Sequence, residues 1–203
     1  MKDFKRKYIL PILFTIIVTA VTTFLLAGIN YLTTDAIALN EETTLRSTIL
    51  YVFNIDYPSG DAKKIEEIFT QHVKSKEVGD KTIYYIEDRN EISAYAFPVD
   101  GVALWGSVHA YVAISSDYNE ILGIDFVSQS ETPGLGGRIS EAWFKEQFRG
   151  LKLGDIQDGE YIVYRPAPGG NVDGISGATL TSNAIRELLN KGIYEFISEQ
   201  RGL

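Results

Sequence analysis

The sequence predicts an α+β protein, in which an N-terminal transmembrane helix is followed by one domain with a central, mainly antiparallel sheet and flanking helices. Three patterns support this prediction. Residues 8–34 contain no charged side chain, and about 20 apolar residues in a helix are enough to cross the hydrocarbon core of a bilayer. Residues 82–126 contain several runs in which apolar and polar side chains alternate, as expected for strands. Residues 182–200 carry apolar side chains on one helical face.

The first 34 residues are predicted to form a single membrane anchor. Residues 1–7 have a charge balance of +3, whereas the rest of the chain has a balance of −11, which together give the net charge of −8. The positive-inside rule then places residues 1–7 in the cytoplasm, the transmembrane helix 8–34 in the cell (inner) membrane, and residues 35–203 outside the cytoplasm. A long uncleaved signal sequence or a buried core helix is the alternative interpretation.

The part beyond the anchor is predicted to contain a connecting segment and one domain. Residues 35–60 form a stalk that is helical over 43–54, and residues 61–203 form the extracytoplasmic domain. Within 61–74, apolar residues recur at helical spacing, which predicts a helix. His72 lies on the apolar face of that helix, so we expect it to pack in the core.

The sheet is predicted to be an antiparallel meander with one buried face. Residues 82–87 and 91–98 flank Asp88-Arg89-Asn90, which is the pattern of a β-hairpin. His109 alternates with apolar neighbours in a further strand, so its side chain faces the solvent or the opposite side of the sheet. The remaining predicted elements are strands at 108–114, 122–126 and 161–164, a short helix around 143–148, and a C-terminal helix over 182–200.

The composition excludes several classes of function. The chain has no cysteine, which excludes disulfides, thiolate-held iron–sulfur clusters, zinc ribbons and thiol nucleophiles. The acidic balance of the body argues against non-specific binding of nucleic acid, because such binding needs a basic face. We therefore expect no nucleic-acid partner and no metal site.

One short segment carries the strongest chemical signal. Residues 173–182 combine two glycines, one alanine and four hydroxyl side chains immediately before an amphipathic helix. Small side chains let a ligand approach the backbone closely, and free N–H groups at a helix start favour a phosphate. The residues alone leave two interpretations open: a phosphate site, or a helix start that is capped by Thr181 or Ser182 and binds no ligand.

Three motifs resemble a known family. Asp173-Gly174-Ile175-Ser176-Gly177-Ala178-Thr179 resembles the flavinylation motif of the FMN-binding domain, which is found in the G subunit of the Rnf complex and the C subunit of the sodium-translocating NADH:quinone reductase (Nqr). Glu131-Thr132-Pro133-Gly134-Leu135-Gly136 resembles the loop beside the flavin in that family, and Leu104-Trp105-Gly106 is similar to a segment of the Nqr protein. The length of the chain is closer to that of the Rnf protein, so the choice of complex stays open.

The resemblance implies a cofactor and a role. FMN would be linked covalently through its phosphate to the hydroxyl of Thr179, in a phosphoester installed by a dedicated flavin transferase. The chain would relay electrons on the extracytoplasmic side of a membrane ion-translocating oxidoreductase complex. Its partners would be the lipid bilayer and the other membrane subunits of the Rnf or Nqr complex, and it would have no complete reaction of its own.

The residues around Thr179 receive roles from this interpretation. Ser176-Gly177-Ala178 would leave room around the phosphate, and Thr181 or Ser182 could donate hydrogen bonds to it. Asp173 would not contact the phosphate, since like charges repel; it would serve the transferase or stabilise the turn, and Gly174 belongs to the same motif.

The second loop would contact the ring of the cofactor. Residues 131–136 would pack on the isoalloxazine system, with Leu135 against its face. The alternative for this loop is a simple Pro-Gly turn before the following helix.

Two enzyme classes are disfavoured by the sequence. Gly174-Ile175-Ser176-Gly177 is one residue short of the nucleophile elbow of a serine hydrolase, and His72 and His109 are the only histidines that could serve as its base. Gly134-Leu135-Gly136-Gly137 lacks the later glycine and the parallel βαβ context of a dinucleotide site. A non-catalytic alternative stands beside electron transfer, namely a membrane-anchored interaction or redox-sensing domain.

Overall fold

The structure is a computed structural model that describes residues 5–154 and 160–202, with side chains from residue 7 onward. The chain divides into two compact units, Met1–Glu42 and Thr43–Leu203. Most of the predicted basic segment, including Lys2 and Asp3, lies outside the described residues.

The first unit is helical. A π-helical turn, Lys5–Ile9, leads into helix α1, Leu10–Val52. The large apolar side chains of this unit are exposed. Thr15 and Thr22 each donate their hydroxyl proton to a carbonyl four residues earlier, at 2.9 Å, so these polar groups are satisfied within the helix. In the described part of the chain, this is the one helix that is long and apolar enough to cross a membrane, by length and composition alone.

The last turn of α1 belongs to the core of the second unit. The helix ends at Val52, and Asn54 follows with φ +58°, a left-handed conformation that commonly ends helices. The Ile55 amide donates to the Leu50 carbonyl at 2.9 Å and so supplies a capping hydrogen bond. The buried residues of this turn are Thr48, Ile49, Leu50 and Val52.

Helix α2, Ala62–His72, follows after a short irregular segment. The Asp61 carboxylate caps it by accepting the Lys64 amide at 3.1 Å. Ile65 is buried in the same apolar cluster as Leu50. The prediction that His72 packs in the core is wrong: His72 is the last residue of the helix and is exposed, because the chain turns there into an exposed edge strand.

Six antiparallel strands form one sheet in sequence order, which confirms the predicted meander. The strands are β1 Lys74–Val78, β2 Lys81–Asp88, β3 Glu91–Val102, β4 Ser107–Ser115, β5 Glu120–Gln129 and β6 Leu151–Lys152. Arg89 and Asn90 join β2 to β3 with φ values of 51° and 67°, the left-handed conformation of a two-residue hairpin turn. The sequence predicts neither edge strand, since β1 is largely exposed on both faces and β6 has only two residues.

Both faces of the sheet are covered, so the prediction of one buried face is wrong. Along β3, Ala94 and Ala96 pack in a cluster with the end of α1 and with α2. Phe97 and Val99 point to the other face and pack in a second, larger cluster. The alanine side chains are small, which lets the helices approach the first face closely; they do not stand out in the sequence as a core.

Short helical segments connect β5 to β6. They are a 3₁₀ helix over Gly136–Ser140, helix α3 over Ala142–Lys145, and a 3₁₀ helix over Glu146–Phe148. Phe144 and Phe148 are fully buried in the larger cluster, which confirms the predicted short helix. The predicted strand at 161–164 is not formed, since only Tyr164 makes a single bridge, to Val172.

Helix α4, Thr179–Arg201, closes the chain and covers the second face of the sheet. Its predicted apolar face is confirmed, with Ile185, Leu189 and Ile193 fully buried. The Phe196 ring stacks on Phe97 of β3, with 4.0 Å between the ring centroids. The helix begins three residues before the predicted start, which places Thr179 in its first turn.

Candidate cofactor site

Thr179 is the first residue of a 23-residue helix, and its side chain is exposed. The N-cap position is taken by Ala178, and no side chain of the described residues caps the helix. The first N–H groups of a helix have no partner within it, and the helix dipole adds positive potential at this end. The hydroxyl of Thr179 therefore stands where a phosphate is favoured.

The turn before Thr179 has a defined shape. The Ala178 amide donates to the Ile175 carbonyl at 3.0 Å, and Gly177 has φ +79°, which favours glycine at this position. The Ile175 amide donates to the Ser182 hydroxyl oxygen at 2.9 Å. Ser176 and Gly177 are exposed, so the outer side of the turn is open.

A second set of contacts ties the start of the motif to the body of the domain. Gln147 accepts the Asp173 amide at 2.8 Å and donates its own amide to the Asp173 carbonyl at 3.3 Å. The Asp173 carboxylate forms an ion pair with the Arg165 guanidinium at 2.9 Å. Asp173 is thus engaged at its backbone and its side chain, and its role in stabilising the turn or serving the transferase stays a prediction.

The Glu131–Gly136 loop lies against this turn. The Leu135 and Gly137 amides donate to the Thr132 carbonyl at 3.1 and 3.0 Å, and Gly134 has φ +75°. A Leu135 methyl carbon lies 3.6 Å from the position that a Cβ on Gly177 would occupy. The structure therefore brings together the two loops that the sequence singles out.

Glu131 joins three segments through one carboxylate. One of its oxygens accepts the Trp105 amide at 2.8 Å, and the other accepts the Thr181 hydroxyl at 2.6 Å. Gly136 lies so close to this pair that an added Cβ would come within 2.5 Å of the Thr181 hydroxyl and 2.6 Å of the carboxylate. Leu104-Trp105-Gly106, the loop and the first turn of α4 therefore meet at Glu131.

The two hydroxyls predicted to donate to a phosphate have partners inside the protein. Thr181 is buried and gives its one hydroxyl proton to Glu131, so the prediction that it donates to the phosphate is replaced by this internal role. Ser182 is also buried and uses its oxygen to accept the Ile175 amide. Neither residue caps the helix, so the cap predicted as the alternative is not formed.

Exposed apolar side chains surround the first turn of α4. Leu180, next to Thr179, is 65 % exposed, and Trp105 is 71 % exposed. Leu135 is also exposed. Exposed apolar side chains that lie together are a feature of ligand and partner sites, and a planar aromatic ring is chemically suited to such side chains.

A separate cavity of about 410 Å³ lies between β2, β3 and α4, and neither the motif nor the Glu131 loop lines it. Asp100 at its edge accepts the His109 ring Nδ1–H at 2.8 Å when that nitrogen carries the proton. His109 is exposed, and no hydrogen bond of the described residues joins it to Ser176. In this structure His109 therefore does not serve as the base of a serine hydrolase centred on Ser176.

Three residues at or beside the site have no signal in the sequence. Gln147 contacts Asp173 from the short helical segment, and Arg165 pairs with it from an irregular loop. A ring carbon of Tyr164 lies 3.7 Å from the position that a Cβ on Gly174 would occupy. Burial raises the pKa of the Tyr164 phenol well above the usual range. Its hydroxyl is buried without a hydrogen-bond partner among the described residues. All three lie outside recognisable motifs.

Comparison with known proteins finds similarity to one domain family and to one kind of protein. Residues 104–194 match the FMN-binding domain family, and this segment includes all three motifs. The chain is 37 % identical over 129 residues to the C subunit of the Na(+)-translocating NADH-quinone reductase of Vibrio alginolyticus, which is 59 % of this chain and 50 % of the relative. It is 42 % identical over 109 residues to the same protein of Vibrio anguillarum, 51 % of this chain and 43 % of the relative.

A solved structure is similar as well. The C subunit of the Na(+)-translocating NADH-quinone reductase from Parabacteroides distasonis matches with a TM-score of 0.63 and 27 % identity, over 79 % of this chain and 92 % of that one. The matches confirm the resemblance to the FMN-binding domain family and to the C subunit of the Na(+)-translocating NADH-quinone reductase. The aligned part of the chain spans about half the length of each Vibrio relative, 50 % for Vibrio alginolyticus and 43 % for Vibrio anguillarum.

Proposed function

We propose that this chain is a membrane-anchored, FMN-carrying electron-transfer subunit of an Nqr-type complex. The observation that carries the proposal is the position of Thr179, which is exposed at the uncapped start of α4 within a segment that matches the FMN-binding domain. FMN, when bound, supplies the electron-transfer chemistry. The residues of the chain attach it, orient it and hold its surroundings in place.

The residues present fit a flavin phosphate. Gly177 and Ala178 carry no bulk beside Thr179, and the first-turn amides of α4 have no side-chain acceptor in the described residues. A phosphoester at Thr179 would place the remaining phosphate charges against these amides and the positive end of the helix dipole. Leu135 and Leu180 offer apolar surface next to the attachment point, which suits the ring system.

The membrane anchor and the partners form the second part of the proposal. Residues 8–34 would span the bilayer with residues 1–7 in the cytoplasm and the second unit outside, because the basic residues precede the apolar stretch and acidic residues follow it. Both Vibrio relatives are subunits of an Na(+)-translocating NADH-quinone reductase, which favours an Nqr-type complex over an Rnf-type one. The other subunits of that complex and a flavin transferase would be the partners.

Covalent attachment at Thr179 gives the direct test. The full chain, co-expressed with a flavin transferase, is expected to keep a fluorescent band in a denaturing gel. The Thr179→Ala variant should lose the band completely while still folding, because the Thr179 side chain is exposed and alanine has a high helix propensity. The Thr179→Ser variant keeps the attacking oxygen and should retain modification.

The neighbouring hydroxyl provides a matched control. Ser176 is exposed in the same turn, so Ser176→Ala should keep the band if Thr179 is the acceptor. Peptide mapping that places FMN on Ser176 would move the site. A flavin that washes out on denaturation would refute the covalent link, and a transferase-treated protein without flavin would favour the interaction-domain alternative.

A further inference from the structure

We infer that Glu131 is a positioning residue, whose buried carboxylate holds the Trp105 turn at a fixed place relative to the turn of α4 that carries Thr179. This inference rests on the proposed function, since it concerns how the surroundings of the flavin are held. It assigns Glu131 a role through its neighbours rather than through contact with the cofactor.

The burial of Glu131 is the first observation. Its side chain is 5 % exposed, and it is the one acidic or basic residue among the buried residues of the described chain. None of the ion pairs of the described residues includes it. Burying a carboxylate without a cation is costly unless hydrogen bonds compensate it. The hydrogen bonds of the Glu131 carboxylate are therefore what stabilise it in this position.

The geometry of its hydrogen bonds identifies the task. The two oxygens accept from different segments, the Trp105 amide at 2.8 Å and the Thr181 hydroxyl at 2.6 Å. Hydrogen bonds to a charged acceptor are shorter and stronger than neutral ones. Glu131 itself is held by Gln129, whose side-chain oxygen accepts the Glu131 amide at 2.6 Å. The backbone amide of Glu131 and both oxygens of its side chain are therefore held by hydrogen bonds.

The junction between Glu131, the Trp105 turn and the first turn of α4 is closely packed. Gly136 lies against both the carboxylate and the Thr181 side chain, with no room for a Cβ. Gly106, beside Trp105, would place a Cβ within 2.7 Å of the Ser130 side chain. The junction that Glu131 forms between the Trp105 turn and the first turn of α4 therefore has no room for a side chain at Gly136. The indole of Trp105 is exposed, and its backbone is tied through Glu131 to Thr181, two residues from Thr179.

The first test needs no flavin. In the full chain in detergent, hydrogen exchange of the Trp105 amide is expected to rise at least about tenfold in Glu131→Ala, because a charge-assisted hydrogen bond is lost. The Ala103 amide, which donates to Gly106 within the same turn, should change much less and serves as the internal control. Equal exchange of the Trp105 amide in the folded variant and the parent would overturn the inference.

The second test uses the flavinylated chain. Trp143→Phe leaves Trp105 as the only tryptophan, so quenching of its fluorescence by the flavin reports their separation. Glu131→Ala should broaden the distribution of quenched lifetimes. Glu131→Gln should resemble the parent, since its amide can accept from Trp105 and donate to the Thr181 oxygen. If Glu131→Gln behaves like Glu131→Ala, two side-chain hydrogen bonds from this position do not hold the Trp105 turn, and the inference fails.

A third variant separates the two bonds. Thr181→Val keeps the shape of the side chain and removes only the link to α4, so the Trp105 amide should stay protected while the lifetimes broaden. Unchanged lifetimes in Thr181→Val would also overturn the inference. A parent chain that carries no flavin would refute the proposed function instead, and the exchange test would still decide the role of Glu131.

Discussion

Removal of the last turn of α1 is expected to unfold the second unit. A fragment that starts at Asn40 keeps this turn and should be soluble and cooperatively folded, whereas a fragment that starts at Asn54 lacks it. The side chains lost are Ile49, Leu50 and Val52, each 0 % exposed, and Phe53, 6 % exposed. Full burial of one such side chain contributes roughly 1.5–3 kcal/mol, so the four contribute on the order of 6–12 kcal/mol, an upper estimate because unfolded chains are partly compact.

That magnitude is similar to the whole stability of a domain, about 5–15 kcal/mol. Urea unfolding followed by tryptophan fluorescence measures the difference, since Trp105 and Trp143 lie in both fragments. The fragment from Asn40 should give a single cooperative transition, and the fragment from Asn54 should give none. A cooperative transition with the same midpoint in both fragments would refute the assignment of this turn to the core.

Point substitutions test the same reasoning without truncation. Leu50→Ala should cost roughly 2–5 kcal/mol in the fragment from Asn40, as expected for a fully buried leucine. Leu180→Ala makes the same chemical change at an exposed position and should stay within about 0.5 kcal/mol of the parent. Equal losses for the two variants would mean that burial does not decide the effect.

Two further predictions concern topology and pH. The chain has no cysteine, so Lys7→Cys and Glu187→Cys each introduce a single thiol. A membrane-impermeant maleimide, added to cells whose outer barrier has been opened, should label position 187 and not position 7. The reverse labelling pattern would overturn the proposed orientation. Hydrogen bonding from Arg149 lowers the pKa of Glu146 below its usual 4.5, so the stability that it contributes is present above pH 4.5 and is lost as the pH falls through the lower folded value. Glu146→Gln should therefore lower the urea midpoint at neutral pH and leave it nearly unchanged, relative to the parent, at strongly acidic pH; an equal loss at both would contradict this origin.

The sequence predicts most of the fold because its patterns are local. The hairpin at Arg89-Asn90 and the apolar face of α4 follow from periodicity over a few residues, and the structure confirms both. The second face of the sheet is missed because Ala94 and Ala96 carry little apolar surface of their own. His72 is misassigned because helical spacing alone does not say where the helix ends.

The candidate site is likewise predictable from the sequence only where its residues form contiguous motifs. Resemblance identifies the segments around Thr179 and Glu131, since each is a contiguous motif. The bond between Glu131 and Thr181 joins residues 50 positions apart, and the clamp from Gln147 to Asp173 joins residues 26 apart. Such pairs depend on the folded path of the chain, and a single sequence contains no local pattern that predicts them.

The short helical turn beside the motif connects it to distant parts of the second unit. Arg149 donates to the Tyr51 carbonyl at 3.2 Å and also to the Leu122 carbonyl, while Gln147 in the same turn grips the backbone of Asp173. This turn is therefore hydrogen-bonded to three separate segments of the second unit. The rate of electron tunnelling falls steeply with the distance between donor and acceptor. For an electron carrier proposed at Thr179, a turn fixed by these hydrogen bonds would keep that distance, and with it the rate, nearly constant.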